Sequence, residues 1–281
     1  MTDLGKVVVL GSTGMLGREV VKQLGEANVL APTRTECDIS SWSSIEKYFA
    51  RLKSVDAIIN CAAYTAVDQA ESDSAKAFAM NGSALHMLSR CADHVKSSLI
   101  HVSTDYVFDG EKQKYTITDI PQNPKSIYGK SKLLGEQYIQ KNLRRYFIVR
   151  TSWLFGQHGK NFVKTILRNA GQNESIKVVS DQIGCPTYSV DLAKALISLI
   201  GSDMYGIHHA VGAGSCSWFD FAKTILDLKG IQKPVIPIST QKSFQLFPTI
   251  KASRPQSSIL VNTLPMRPWK DALKEYLSHE I

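Results

Sequence analysis

Four apolar residues, Val7-Val-Val-Leu10, run directly into Gly11-Ser-Thr-Gly-Met-Leu-Gly17, and this junction narrows the available folds more than any other stretch of the chain. A short unbroken apolar run that ends in glycine reads as a strand buried on both faces, as in a parallel sheet. Beyond it, Met15, Leu16, Val20, Val21 and Leu24 recur at helical spacing. Gly11, Gly14 and Gly17 have the G-x-x-G-x-x-G pattern, a variant of the fingerprint that lets backbone approach a pyrophosphate at a helix N-terminus. Alone, the triplet would fit any tight turn. A buried strand before it and an amphipathic helix after it favour nucleotide binding.

The alternation continues. Residues 29–31 read as a strand, 42–52 as a helix and 57–60 as a third strand. A long helical region follows Asp68, with Leu85, Leu88, Cys91 or Ala92, and Val95 on one face, and 99–102 makes another buried strand. Residues 126–138 have helical composition with Ser126 as N-cap, and 147–149 supply the next strand. Parallel neighbours need crossover connections, so this rhythm predicts an α/β fold, a doubly wound parallel sheet of the Rossmann type. Past Trp153 the rhythm loosens: helical stretches at 162–168, 190–199 and 219–228 are separated by proline and glycine. The expected division is an NAD(P)-binding unit over 1–155 and, over 156–281, mainly a smaller C-terminal substrate-binding lobe. Residues 189–212 are expected to return to the first unit, with 207–211 rejoining its sheet. Residues 234–255 read as a long polar loop and 269–277 as a closing helix.

Bulk properties exclude several classes. The 281 residues suffice for one large domain or a domain with a companion lobe. A net charge of +8 is scattered, and Lys141-Asn-Leu-Arg144-Arg145 lacks any nucleic-acid-binding motif around it, so no nucleic acid partner is expected. The positive field suits an anionic cofactor and a nucleotide substrate. Five cysteines, an odd number with no C-x-x-C pair, point to reduced thiols, and no run approaches the ~18 apolar residues that cross a bilayer. A cytoplasmic protein without membrane partners is expected. Seven histidines include no H-E-x-x-H pair, and His208 and His209 would point to opposite faces of a strand, so no metal site is expected. No G-x-S-x-G elbow appears.

Chemistry enters at Tyr128-Gly-Lys-Ser-Lys132. Residues four apart share a helix face roughly 5–6 Å apart, so the Lys132 ammonium would act on the Tyr128 phenol and bring its pKa down toward neutrality. A tuned phenol beside a dinucleotide site suggests hydride transfer to or from a carbonyl. At the end of the 99–102 strand, either Ser103 or Thr104 stands where ligands gather in open α/β sheets and could hold the substrate oxygen. After the second strand no acid awaits a free ribose hydroxyl, and Arg34 is placed to meet a 2′-phosphate. The cofactor reading is therefore NADPH, with NADH as the second option. Asp38 would reach the adenine edge.

With these residues in hand, the chain resembles the extended short-chain dehydrogenase/reductases, and within them the dTDP-4-dehydrorhamnose reductase family, from the first strand to Leu277. The resemblance is carried by Cys61-Ala-Ala-Tyr-Thr-Ala-Val-Asp68, Ser103-Thr-Asp-Tyr-Val-Phe-Asp-Gly110, Tyr128 through Glu136, Arg150-Thr-Ser-Trp153, Asp181 through Thr187 and Arg254-Pro255. Ser131, where threonine is usual, and Cys185 depart from the pattern. It implies reduction of the 4-keto group of dTDP-4-dehydro-6-deoxy-L-mannose to dTDP-L-rhamnose. By the same token Gly11, Gly14, Met15, Leu16 and Gly17 would contact the cofactor pyrophosphate, Asp38 and Ile39 the adenine, and Ala62, Ala63 and Tyr64 the nicotinamide side. Thr104, Tyr128 and Lys132 would form the catalytic triad, Lys132 also gripping the nicotinamide ribose. Asp105, Tyr106, Trp153 and Arg254 would bind the nucleotide sugar. Some relatives pair as dimers, so a homodimer is implied as well. Two alternatives stay open: another sugar-nucleotide reductase or epimerase of the superfamily, and a non-catalytic regulatory subunit resembling that of methionine adenosyltransferase.

Overall fold

The computed structural model describes residues 6–247 and 249–279. Val7–Leu10 forms β1 and Met15–Leu24 forms α1, with the glycine turn between them. Val29–Leu30 (β2), Trp42–Phe49 (α2), Ala57–Asn60 (β3), Ser98–Thr104 (β4) and Tyr146–Thr151 (β5) follow. A sixth strand, Gly206–His209, joins β5, and the sheet order is Gly206–His209, β5, β4, β3, β1, β2, parallel throughout.

Period-two alternation sends successive side chains to opposite faces, and both faces are covered. Val8, Leu10, Ile58, Leu99 and Ile148 pack with Ile45, Phe49, Leu85, Leu88 and Ile139 on one side. Val7, Val9, Ile59, Ile100, Phe147 and Val149 pack with Leu16, Val20, Leu192 and Leu196 on the other. Each such side chain stabilises the sheet by about 1.5–3 kcal/mol on burial. The Ser189–Ile197 helix thus lies against the main sheet. A separate apolar cluster unites Phe155, the Phe162–Gln172 and Trp218–Leu228 helices and Leu273, Tyr276 and Leu277 of the Trp269–His279 helix.

Two local expectations are corrected. The region after Asp68 is not one long helix: Val67–Ala70, Ser74–Phe78, a π-helical turn at Ala79–Ser83, and Ala84–His94 succeed one another. The break has a tertiary cause. The Asn81 side chain accepts from Tyr64 N–H at 2.8 Å and donates to Tyr64 C=O at 3.0 Å and to Ser131 Oγ at 3.1 Å, and the widened turn presents it to these partners. The 234–255 stretch is not all loop either. Val235–Ile238 pairs in parallel with Ile176–Val179, and Ser239 caps a helix over Thr240–Leu246.

Candidate active site

The connection from β1 to β2 runs one way along the sheet and the chain then returns to place β3 on the other side of β1, so a crevice opens at the carboxyl ends of these strands. Gly11 has φ of +73°, and a Cβ there would stand 2.7 Å from Ala62 N. At Gly17 a Cβ would stand 2.1 Å from the Gly11 carbonyl oxygen. Backbone therefore approaches backbone where no side chain fits. α1 begins at Met15 with no side-chain cap and no acid in its first turn, leaving its positive end available to an anion.

A cavity of about 680 Å³ starts at this turn. Of the residues expected to bind cofactor, Gly11, Gly14, Met15, Leu16, Gly17, Arg34, Asp38, Ile39, Ala62, Ala63, Tyr128 and Lys132 line it. Thr104, Asp105, Tyr106 and Trp153 line it too, so the predicted chemistry and the glycine turn share one space. Arg34 Nε sits 3.3 Å from Asp38 Oδ2 in an exposed pair. Burial pushes the Asp38 carboxyl up, but hydrogen bonds from Ser40 and Arg34 outweigh it and hold the group below its usual value. Lys160, which the sequence did not single out, adds a second cation to the lining.

At the other end of the cavity, β4 and the Ile127–Asn142 helix bring the candidate catalytic groups together. Ser126 Oγ accepts from Gly129 N–H at 3.1 Å, fixing the start of that helix one residue before Tyr128's turn begins. Ser103 and Thr104 differ in their hydrogen-bond partners. Both line the cavity, but Ser103 Oγ donates to Glu136 Oε1 at 2.6 Å, whereas Thr104 Oγ1 donates to Asp105 Oδ1 at 2.9 Å and accepts from Tyr106 N–H at 3.2 Å. Glu136 also takes a bidentate pair from Arg150, Nε to Oε1 at 3.0 Å and Nη2 to Oε2 at 2.7 Å, with both side chains sealed from solvent. This clasp joins β4, β5 and the helix.

The electrostatics differ from the sequence expectation. Lys132 Nζ lies 2.7 Å from Val102 C=O and 3.0 Å from His101 Nε2, and burial lowers its pKa to about 8 against the opposing pull of Glu136. Burial likewise pushes the Tyr128 phenol up to about 12, and the Thr104 hydroxyl, which favours the phenolate, draws it only part of the way back. Lys132 is not among the groups that lower it. The phenol thus rests fully protonated at neutral pH. Asp105 is pushed up to about 6 by burial, partly offset by the hydroxyls of Ser258 and Thr104. Tyr106 packs edge-on against Tyr128, ring centroids 5.5 Å apart.

Trp153 adopts φ of +47°, a strained value for a bulky residue, and stacks on Trp218 at 3.5 Å between centroids. Stacking holds one face of the indole and leaves it at the cavity wall. Two expected site residues stand outside the lining. Tyr64 packs with Ala70, Ala77 and Met80, and Arg254 Nη2 pairs with Asp68 Oδ2 at 2.7 Å, with its cation close enough to Tyr106 to act on it. Asp68 and Lys251 border a neighbouring groove of about 490 Å³. The sequence reading assigned no part to Trp218, to the Glu136–Arg150 pair, or to Asn60 and His101. Arg150 carries a signal, since a charge inside a largely apolar strand needs a partner.

A dinucleotide fits this crevice on the structure's own terms: glycine contacts too tight for a Cβ, an uncapped helix end, and two cations in a cavity that leads to Tyr128 and Lys132. Fold and site define a dinucleotide-binding α/β protein carrying the threonine, tyrosine and lysine of the short-chain dehydrogenase/reductase class. The chain belongs to the family described as the RmlD substrate binding domain, whose model matches residues 5–281. It is 40% identical over 269 residues to the dTDP-4-dehydrorhamnose reductase of Aggregatibacter actinomycetemcomitans, covering 92% of this chain and 90% of that protein. It is 38% identical over 280 residues to the spore coat polysaccharide biosynthesis protein SpsK of Bacillus subtilis, covering 97% and 96%. A crystal structure of dTDP-4-dehydrorhamnose reductase from Bacillus anthracis in complex with NADP superposes with a TM-score of 0.91 at 35% identity, over 98% of this chain and 99% of that one. No helix among the described residues is long and apolar enough to cross a membrane.

Proposed function

We propose that this chain is an NADPH-dependent reductase that converts dTDP-4-dehydrorhamnose to dTDP-L-rhamnose. The observation that carries the reading is the convergence of Thr104, Tyr128 and Lys132 on the same cavity as the glycine turn. The relatives named above support both the cofactor and the substrate.

The residues divide the task by position. The α1 N-terminus, Gly11, Gly14, Met15, Leu16 and Gly17 hold the pyrophosphate, Arg34 meets the 2′-phosphate, and Asp38 and Ile39 border the adenine. Ala62 and Ala63 line the nicotinamide side, and Lys132 holds the ribose. When bound, NADPH supplies the hydride that reduces C4 of the sugar. Tyr128 supplies the proton: reduction needs a donor that is still protonated at the working pH, and a phenol raised to about 12 meets that need. Negative charge developing on the substrate oxygen 
makes that oxygen a strong acceptor for Tyr128 Oη. Thr104 Oγ1, which donates to Asp105 in the resting site, turns its proton to the same oxygen and steadies it. Trp153 packs on the sugar ring, while Asp105 and Tyr106 contact its polar rim. Arg254, beside Tyr106 and the Asp68 groove, is placed for the nucleotide end.

The cofactor contacts and most of the sugar contacts, from Thr104, Asp105, Tyr106 and Trp153, come from residues 1–155, Arg254 is the sugar-nucleotide contact contributed from 156–281, and 189–212 supplies apolar side chains to the core of the main sheet. The homodimer belongs to the same reading and rests on the resemblance; sedimentation of the purified protein decides it. The activity is tested by following NADPH absorbance with dTDP-4-dehydrorhamnose generated in situ. Turnover with formation of dTDP-L-rhamnose is expected. Absence of NADPH consumption with this sugar, alongside turnover of another dTDP-4-keto sugar, would move the substrate assignment elsewhere in the superfamily.

A further inference from the structure

The hydrogen bonds beneath Lys132 have a direction that the sequence does not disclose. Ala62 N–H, which is only ever a donor, points to Asn60 Oδ1 at 3.1 Å. That contact fixes the Asn60 amide with Nδ2 toward His101, where it lies 3.1 Å from Nδ1. An amide nitrogen can only donate, so His101 Nδ1 accepts. A neutral imidazole that accepts at Nδ1 carries its hydrogen on Nε2, and Nε2 faces Lys132 Nζ at 3.0 Å. An ammonium has three donors and no acceptor. Two donors would therefore oppose each other across this contact unless the lysine is a free amine with its lone pair toward His101. A free amine fits every neighbour: it accepts from His101 Nε2–H, donates to Val102 C=O at 2.7 Å, and keeps one N–H for the cavity.

We propose that Asn60 and His101 are positioning residues that favour the free-amine form of Lys132 in the cofactor-free site, His101 standing as its Nε2–H tautomer whenever the lysine is deprotonated. The proposal rests on the reading of Lys132 as the amine of a reductase site, and it concerns the protein before cofactor or substrate arrives.

The other groups around Lys132 permit this state. His101 is fully enclosed in β4, and burial drives its pKa well below the ordinary value, so it offers no cationic alternative. From the end of β3, Cys61 is pushed up to about 12 by burial and stays a neutral thiol. On the lysine's own helix, Tyr128 is a protonated phenol, and Glu136 favours the ammonium but already serves Arg150 from β5 and Ser103 from β4.

The test needs neither turnover nor cofactor. Protein labelled with 13C at lysine Cε and 15N in histidine is titrated by NMR without ligand, Lys132 and His101 being assigned by loss of their signals in Lys132→Met and His101→Gln. Lys132 is expected to titrate near pH 8, well below the surface lysines, and His101 to show a hydrogen on Nε2 and a bare Nδ1 at pH 9 to 10, above that midpoint. In His101→Gln, whose amide can accept from Asn60 and donate to Lys132, the lysine midpoint should stay near the wild-type value. In His101→Leu it should rise by roughly 0.7 units, the net worth of one hydrogen bond. A lysine still charged at pH 10, a hydrogen on His101 Nδ1 at pH 9 to 10, or equal midpoints in His101→Leu and wild type would each overturn the proposal. Because no substrate is present, these results stand apart from the success or failure of the reductase assay.

Discussion

Asp105 gives the sharpest quantitative prediction. Its carboxyl is buried at the head of the cavity, 2% exposed, and its pKa rises from 3.8 to about 6. A shift of about 2 units corresponds to roughly 3 kcal/mol that the folded state loses by carrying the ionised form. The sign follows from proton binding. Between pH 4 and 6 the folded protein holds the proton more tightly than the unfolded chain, so this group makes stability fall as pH rises through that window. Below pH 4 the penalty is absent, and above 6 it is complete. Asp105→Asn keeps the shape and a carbonyl to accept from Thr104 Oγ1 while removing the charge. Urea unfolding of both proteins at pH 4, 5, 6 and 7 isolates the group, because every other titration cancels in the difference. The stability of Asp105→Asn relative to wild type should climb by up to about 3 kcal/mol from pH 4 to pH 7, with most of the change before pH 6.5. A difference that stays flat with pH would refute the reasoning, since it would mean that burial does not disfavour this charge.

Three further outcomes are expected. Tyr128→Phe should lower kcat by about 10²- to 10⁴-fold with NADPH affinity kept, as read by single-turnover kinetics and cofactor fluorescence; unchanged turnover removes Tyr128 from proton transfer. Arg34→Ala should weaken NADPH binding about tenfold or more while leaving NADH affinity nearly as it was, the loss of one charge-assisted contact to the 2′-phosphate; equal losses for both cofactors would deny it that contact. Glu136→Gln strands the Arg150 guanidinium in the core and should cost about 3–5 kcal/mol in urea unfolding, whereas a cost below about 1 kcal/mol would mean that the pair is not truly sealed.

Much of this architecture is legible in the sequence because local signals and tertiary demands agree. Val7–Leu10, the glycine turn and α1 follow from hydrophobic period and backbone sterics, and the Ser126 cap announces the helix that carries Tyr128 and Lys132. Where a distant partner decides, sequence fails. The π-helical turn at Ala79–Ser83 depends on the Asn81 amide finding Tyr64, and Val235–Ile238 becomes a strand only because Ile176–Val179 lies beside it. Helical spacing placed Tyr128 and Lys132 correctly on one face but misjudged their charge. Spacing says nothing of desolvation, and here burial moves both groups toward their neutral forms. Asn60 and His101 were invisible for a related reason: they face each other across β3 and β4, and that register exists only once the sheet is assembled.

The Ser103–Glu136–Arg150 clasp has a bearing on how such a protein changes over generations. It sets the spacing between the strand end that bears Thr104 and the helix that bears Tyr128 and Lys132, using buried side chains. Trp153 and Trp218, by contrast, lean on the apolar cluster of the other lobe. Mutations that reshape the sugar's berth can therefore accumulate there without disturbing the proton-transfer geometry, so selectivity is free to drift while the reaction is conserved.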